Sequence, residues 1–263
     1  IGGVFTGLSF SMIAMGCGGL AVVGGGVLWR RDRMPVSPAW GRLLLLAAPL
    51  LILVSGVVAS QWDEFSHWLS SARFLLATDG FPNAANPNTG GSFPAYPYAW
   101  PLVSYLTGRI GGGLLEATGP MVNVLLLLSY GLLVMRLVAI GLGKSWNHEK
   151  LGWSLCALGG LSAIAFNPTF VQKVVLTAYA DTSSAVALGF ATVLAWFMLE
   201  AQARGEDGAA RRFSWQVGLA LVLVVNLKQS TLVLFVVLAF AVILIGLRDP
   251  KIRIGDLVRL LPG

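Results

Sequence analysis

The chain has 263 residues, of which 56% are hydrophobic and 11% are charged. This balance excludes an ordinary soluble domain and indicates an integral membrane protein with several spanning helices. The net charge of +6 does not indicate a nucleic-acid partner, because the basic residues fall in short clusters between apolar segments, as topology signals do. The two cysteines, Cys17 and Cys156, lie inside apolar runs, which argues against a disulfide framework or a zinc site.

Seven apolar runs predict membrane crossings, because each can contribute a helix to a hydrocarbon layer ~30 Å thick. By the positive-inside rule, the basic clusters between them lie in the cytoplasm. In that arrangement the external segments hold four basic and five acidic residues, and the rest of the chain holds fourteen basic and seven acidic residues. The predicted crossings are residues 1–28, 43–59, 120–140, 151–166, 182–200, 213–227 and 230–247.

The predicted fold is an all-α integral membrane protein whose long external first loop, residues 61–118, carries juxtamembrane helices. Residues 63–77 have the pattern of an amphipathic helix lying along the membrane. The stretch 79–101 is rich in proline and turn residues, and residues 101–115 are predicted to form a juxtamembrane or re-entrant helix. We expect residues 1–263 to form a single transmembrane domain, the N-terminal part of a longer protein.

The sequence QWDEFSHW, at residues 61–68, places two carboxylates and a histidine where a helix leaves the membrane. His67 lies four residues after Asp63 and three after Glu64, so the three side chains share one strip of a helix surface. This arrangement predicts a general base at the membrane surface with neighbours that orient it. The alternative is an N-terminal cap on an interfacial helix.

A metal site is a further alternative for these residues. The Glu-x-x-His spacing of carboxylate-bridged metal sites occurs once, at Glu64 and His67, whereas such sites need it twice. A divalent cation such as magnesium or manganese could still be held by Asp63, Glu64 and Asp181. Asp181 itself is predicted to cap the helix that begins at Thr182, a role that is compatible with that of an acidic site residue.

Of the four basic residues in the predicted external segments, three suit an anionic lipid phosphate: Arg109, Lys173 and Lys228. Ionisable residues at membrane depth are candidates for function. For Lys228 the alternative is a side chain that extends to the lipid headgroups.

Several motifs in this order resemble the GT-C superfamily of integral-membrane glycosyltransferases, over residues 43–247. They are Asp63-Glu64 in WDEFSHW, the following helix at 65–77, GFP at 80–82, YPYAWPLVSYLTGRIGG at 96–112, AYAD ending at Asp181, and NLKQS at 226–230. The resemblance implies a polyprenyl-phosphate-linked sugar donor and transfer on the external face of a membrane, here a bacterial inner membrane.

By the same resemblance, Asp63 would be the catalytic base with Glu64 beside it, and Asp181 would be the acidic residue of the second external loop. We expect His67 to support the base. The aromatic residues of the proline-rich segment are expected to contact the substrate: Tyr96, Tyr98 and Trp100.

Two other functions fit the same sequence. A transporter or flippase of a lipid-linked glycan would use the carboxylates to relay protons or bind ions. A non-catalytic subunit of a larger membrane complex would tolerate changes at Asp63.

Overall fold

The computed structural model describes residues 9–30, 37–92, 96–143, 151–165, 175–249 and 251–252. Every regular element in these residues is helical, which confirms the predicted all-α class. The α-helices are α1 (Phe10–Arg30), α2 (Pro38–Ser55), α3 (Leu69–Thr78), α4 (Ala99–Gly111), α5 (Thr118–Gly141), α6 (Trp153–Ala163), α7 (Asp181–Ala203), α8 (Asp207–Leu227) and α9 (Thr231–Arg248). A π-helical turn, Glu64–Trp68, precedes α3.

Within the described residues, five helices are long and apolar enough to span a membrane. They are α1 over Phe10–Val27, α2, α5, α7 and α9. Each coincides with a predicted crossing. The 11-residue helix α6 is only about 16 Å long, at 1.5 Å per residue, and α8 opens on the charged residues Asp207, Arg211 and Arg212. The crossings at 151–166 and 213–227 therefore remain predictions.

Helix α2 shows how the sequence sets a helix boundary. The Ser37 hydroxyl accepts a hydrogen bond from the Ala39 N–H at 3.3 Å, and Pro38 occupies the first helical position. Both residues are typical of helix starts, because the serine satisfies a free N–H and the proline has none to satisfy. An apolar run then carries the helix to Ser55.

The chain divides into two compact units, Ile1–Ala95 with Pro101–Tyr179, and Tyr96–Trp100 with Ala180–Gly263. In the first unit, α2, α5 and α6 pack against one another. Helices α5 and α6 approach closely where Gly131 meets the backbone of Gly159. Small residues at helix contacts are typical of membrane proteins, because they let the backbones come together.

In the second unit, α7, α8 and α9 pack together. Their core is formed by Ala191 and Ala195 of α7, Val217 of α8 and Leu238 of α9. Two alanines on one face of α7 leave room for larger side chains from its neighbours, which is how small and large residues interdigitate in a packed core.

The segment between α2 and α5 contains the π-helical turn, α3 and α4. Its proline-rich part folds back on the helical part, because the Ser92 N–H donates to the Ser66 carbonyl at 2.8 Å. The predicted single apolar face of residues 63–77 is not what the structure shows. Trp62 and Phe65 are exposed, whereas Leu69 and Ala72 are buried, since the π-helical turn rotates the first residues relative to α3.

Gly131→Ala tests the close contact of α5 and α6. A Cβ at residue 131 would collide with the Gly159 carbonyl, which is backbone and cannot rotate away. We expect a loss of about 1–3 kcal/mol, as for other overpacked cores, measured as a lower thermal unfolding temperature in detergent. Gly141→Ala is the matched control, because nothing lies within 4 Å of its added Cβ. Equal unfolding temperatures for the two variants would contradict the contact.

Candidate functional site

The acidic pair begins a helical segment that contains a π-helical turn. Residues 62 and 63 are helical, and the Leu69 N–H donates to the carbonyl of Glu64, five residues earlier. The wider turn accommodates an extra residue, and single π-helical turns inside helices occur frequently at functional sites. The side chains of Asp63 and Glu64 extend from this segment into different environments.

Glu64 is a structural anchor. Its side chain is among the largest that are fully buried, at 1% exposure. One carboxylate oxygen, Oε2, accepts hydrogen bonds from the N–H groups of Ser60 and Gln61, both at 2.8 Å. The other oxygen, Oε1, accepts from the Ala178 N–H at 2.6 Å. A buried carboxylate needs such partners to offset its lost hydration, and the third bond joins it to residues 175–179.

Helix α5 also binds residues 175–179. The buried Asn123 donates its side-chain N–H groups to the carbonyls of Val175, Thr177 and Tyr179, at 3.4, 3.2 and 3.1 Å. Gly119 lies against it so closely that an added Cβ would be 2.6 Å from the Ala178 Cα. A segment without its own helix or sheet must find hydrogen-bond partners elsewhere, and Glu64 and Asn123 supply some of them.

Asp63 is exposed to solvent. Within the part of the chain that the structure describes, no group donates a hydrogen bond to its carboxylate. His67, one helical turn later, is buried. Burial lowers the pKa of His67, and the negative charge of Asp63 offsets part of that shift. The imidazole is therefore neutral at pH 7 and lies one helical turn from a carboxylate that is exposed to solvent.

Asp79 connects α1, α3 and α4. It follows α3 in the left-handed conformation, with φ 52°, and its carboxylate accepts from the Ser11 N–H at 3.1 Å and the Ser11 hydroxyl at 2.6 Å. It also accepts from the Tyr105 hydroxyl and pairs with Arg109 at 3.3 Å. Burial raises the pKa of Asp79, but the bonds from Ser11 and Tyr105 and the charge of Arg109 outweigh it and lower the pKa to about 2.

Arg109 was expected to contact a phosphate, and it lines a cavity of about 460 Å³ together with Arg73 of α3. Arg73 forms a long ion pair with Glu116, at 3.9 Å. Both arginines are partly exposed. Arg109 also lies over the ring of Tyr105, with its guanidinium carbon 5.8 Å from the ring centre. The structure thus brings two cations to one cavity of the first unit.

Asp181 and Lys228 form an ion pair of 2.6 Å in the second unit. Lys228 follows α8 in an extended conformation, which leaves its side chain beside the first turn of α7. The prediction that Asp181 caps a helix from Thr182 is wrong, because the helix begins at Asp181 and its N-cap residue is Ala180. A carboxylate in the first turn is stabilised by the helix dipole, and here also by the lysine.

The remaining predicted site residues are the three aromatic residues of the proline-rich segment and Lys173. Tyr96 and Tyr98 are half-buried and Trp100 is buried. Lys173 lies outside the described residues.

Among the described residues, no three His, Cys, Asp or Glu side chains come together to hold a metal ion. Since both oxygens of Glu64 already accept backbone N–H groups, this carboxylate does not fit the proposed divalent cation.

Sequence reasoning did not identify Asp79, Asn123 or Arg73 as important. Asn123 could have been recognised from the sequence, because it is an amide within the apolar run at 120–140 and a polar side chain at membrane depth needs a partner. For Asp79 and Arg73 no local signal existed, because their partners Ser11, Tyr105 and Glu116 are distant in the sequence.

Comparisons of this chain with protein-family models, with curated proteins and with solved structures found no match.

Glu64→Gln tests the anchoring of residues 175–179. The amide has the same shape but only one acceptor oxygen, so its NH₂ group would face a backbone N–H and leave it unsatisfied. We expect a loss of about 1–3 kcal/mol, seen as a lower unfolding temperature. Asp63→Asn is the matched control, and an exposed change of this kind should stay within about 0.5 kcal/mol. The anchor is wrong if both variants unfold at the same temperature as the wild type.

Asp79→Asn tests the connection between α1, α3 and α4 through its pH dependence. The carboxylate has a lower pKa in the folded protein, about 2, than its ordinary 3.8. Its contribution to stability is therefore complete above pH 3.8 and is lost as the pH falls through about 2. We expect the wild type to unfold at a higher temperature than Asp79→Asn at pH 5, and the difference to shrink towards pH 2. A difference that does not change with pH would contradict the account.

Proposed function

We propose that this chain is a membrane glycosyltransferase of the GT-C type, which moves a sugar from a polyprenyl-phosphate-linked donor to an acceptor hydroxyl. The observation that carries the proposal is the difference in burial and hydrogen bonding between the two carboxylates of the acidic pair, Asp63 and Glu64. Glu64 is buried and fully hydrogen bonded, whereas the neighbouring Asp63 is exposed. A rigidly held backbone that presents one open carboxylate is what a general base requires.

The reaction needs one proton transfer at the acceptor. The acceptor oxygen forms a bond to the anomeric carbon of the sugar while the bond from that carbon to the donor phosphate oxygen breaks. The phosphate oxygen keeps the electron pair, and the proton of the acceptor hydroxyl passes to the Asp63 carboxylate. His67 is neutral and buried beside Asp63, so it helps to position the base without adding charge.

The surroundings of Asp63 suit a lipid-linked substrate. Trp62 is 80% exposed and Phe65 is also exposed, and such aromatic residues collect at the boundary between lipid and water. A donor whose tail stays in the membrane would reach this boundary with its phosphate and sugar. In this proposal residues 61–118 form an external loop of a seven-span protein in a bacterial inner membrane.

A donor phosphate would gain from a cationic partner, because its charge develops as the glycosidic bond breaks. The expected roles of Arg109, Lys173 and Lys228 at that phosphate, and of Asp181 as an acidic site residue, stay predictions.

Asp63→Asn tests the proposal directly. The protein is reconstituted in liposomes with a panel of polyprenyl-phosphate monosaccharides and lipid or glycan acceptors, and sugar transfer is followed by mass spectrometry. Loss of a general base should slow transfer by about 100-fold or more, with unfolding temperature unchanged. Asp207→Asn is the control, since Asp207 is another exposed aspartate in a first helical turn, and it should keep wild-type activity.

The two rival functions predict different results in the same liposomes. A transporter would move the lipid-linked glycan across the bilayer without transferring the sugar. A non-catalytic subunit would show the same behaviour with aspartate or asparagine at residue 63. Wild-type transfer rates in Asp63→Asn would overturn the assignment of the base.

A further inference from the structure

Two neighbouring cavities in the first unit differ in polarity. The smaller one, of about 460 Å³, is lined by residues that include Arg73, Arg109, Gly112 and Gly113. A Cβ added at Gly112 or Gly113 would have no atom within 4 Å, so these residues leave the cavity open. A cavity with two guanidinium groups favours a phosphate, which arginine recognises through its planar set of N–H donors.

The larger cavity is an apolar groove of about 800 Å³ that shares Leu114 with the basic cavity. It runs between the residues that follow α2, such as Val58, and the first two turns of α5, at Met121 and Leu125. Glu116 is its charged lining residue. A polar cavity that adjoins an apolar groove fits a molecule with an ionic head and a hydrocarbon chain.

The surface around these cavities is apolar and exposed. Ile110 is 89% exposed, Val58 is 71% exposed and Leu115 is 46% exposed. Large exposed apolar side chains in one place indicate contact with a nonaqueous surrounding, which for this chain is the membrane. Lipid chains therefore have direct access to the groove.

The charges around the cavities distinguish the kind of head group. Arg109 is balanced by Asp79, whose carboxylate also accepts bonds from Ser11 and Tyr105. Arg73 is balanced only loosely by Glu116, at 3.9 Å from Oε1, while the other oxygen of Glu116 accepts the Ala59 N–H at 2.9 Å. Two arginines and two carboxylates leave no net charge, so a head group that carries both a phosphate and a cation is the better match.

We propose that these cavities bind one zwitterionic phospholipid with a primary ammonium head group. Its phosphodiester lies between Arg73 and Arg109, its ammonium group donates to Oε1 of Glu116, and one acyl chain lies in the groove. The proposal does not depend on sugar transfer, since it concerns a membrane lipid and not the donor. Bound in this way, the lipid bridges α3, α4 and the start of α5.

Native mass spectrometry of the purified full chain tests the proposal. The protein is mixed in detergent with equal amounts of phosphatidylethanolamine, phosphatidylcholine and phosphatidylglycerol, and the retained lipids are counted. We expect one retained lipid, with phosphatidylethanolamine favoured, because a quaternary ammonium cannot donate to Glu116 and phosphatidylglycerol has no cation. Equal retention of all three lipids by the wild type would overturn the proposal without the need for any variant.

Two variants separate the roles of the charges. Arg73→Gln should weaken retention of all three lipids by about five- to tenfold, because it removes a charged donor to the phosphate. Glu116→Gln should remove the preference for phosphatidylethanolamine over phosphatidylglycerol and leave the total retention high. Arg204→Gln is the control, since Arg204 is also an exposed, ion-paired arginine, and it should change nothing. Unchanged retention in Arg73→Gln would contradict the proposal.

Competition identifies the source of the bound phosphate. Inorganic phosphate at millimolar concentration should not displace the phospholipid, because it cannot fill the groove. Displacement by inorganic phosphate would reduce the site to an anion site and overturn the lipid assignment. One-for-one displacement by polyprenyl phosphate would assign the cavities to the donor lipid and would equally contradict the proposal.

Discussion

The buried carboxylate of Glu64 is the constraint on which the first unit depends. A charge at 1% exposure is tolerated only with full hydrogen bonding, because its lost hydration must be replaced. Three backbone N–H groups supply this, and the one from Ala178 is 114 residues away in the chain. The carboxylate thereby fixes the start of a helical segment against residues 175–179, which Asn123 holds from α5. Because Asp63 is the neighbour of Glu64 in the chain, the hydrogen bonds of Glu64 also fix the position of the exposed Asp63.

The other charged side chains of this unit differ in how completely they are hydrogen bonded. Asp79 is surrounded by donors from α1 and α4, so it acts as a connection and has no free acceptor for a substrate. Arg73 and Glu116 are joined only loosely, which leaves their charges available. The distinction between structural and available charges therefore follows from the number and geometry of hydrogen bonds, and it separates Asp63, Arg73 and Glu116 from Glu64 and Asp79.

The sequence predicted the helices well and the contacts between them poorly. Apolar runs identify membrane helices because the hydrocarbon layer requires a continuous apolar segment, and in the part of the chain that the structure describes five such helices coincide with predicted crossings. The acidic pair was also recognised as special. Its division into an anchor and an exposed residue could not be predicted, because the Ala178 partner of Glu64 comes from a distant segment. The π-helical turn of Glu64–Trp68 likewise depends on tertiary contacts that periodicity does not encode.

The central claim is that Asp63 is the base of a sugar transfer at the membrane surface. A density map of the protein with a nontransferable polyprenyl-phosphate sugar and an acceptor tests it most directly. The account predicts an acceptor hydroxyl within about 2.6–3.2 Å of the Asp63 carboxylate, the reach of a proton transfer, with Glu64 still bonded to Ala178. An acceptor hydroxyl placed beside another carboxylate, with Asp63 facing only water, would contradict it.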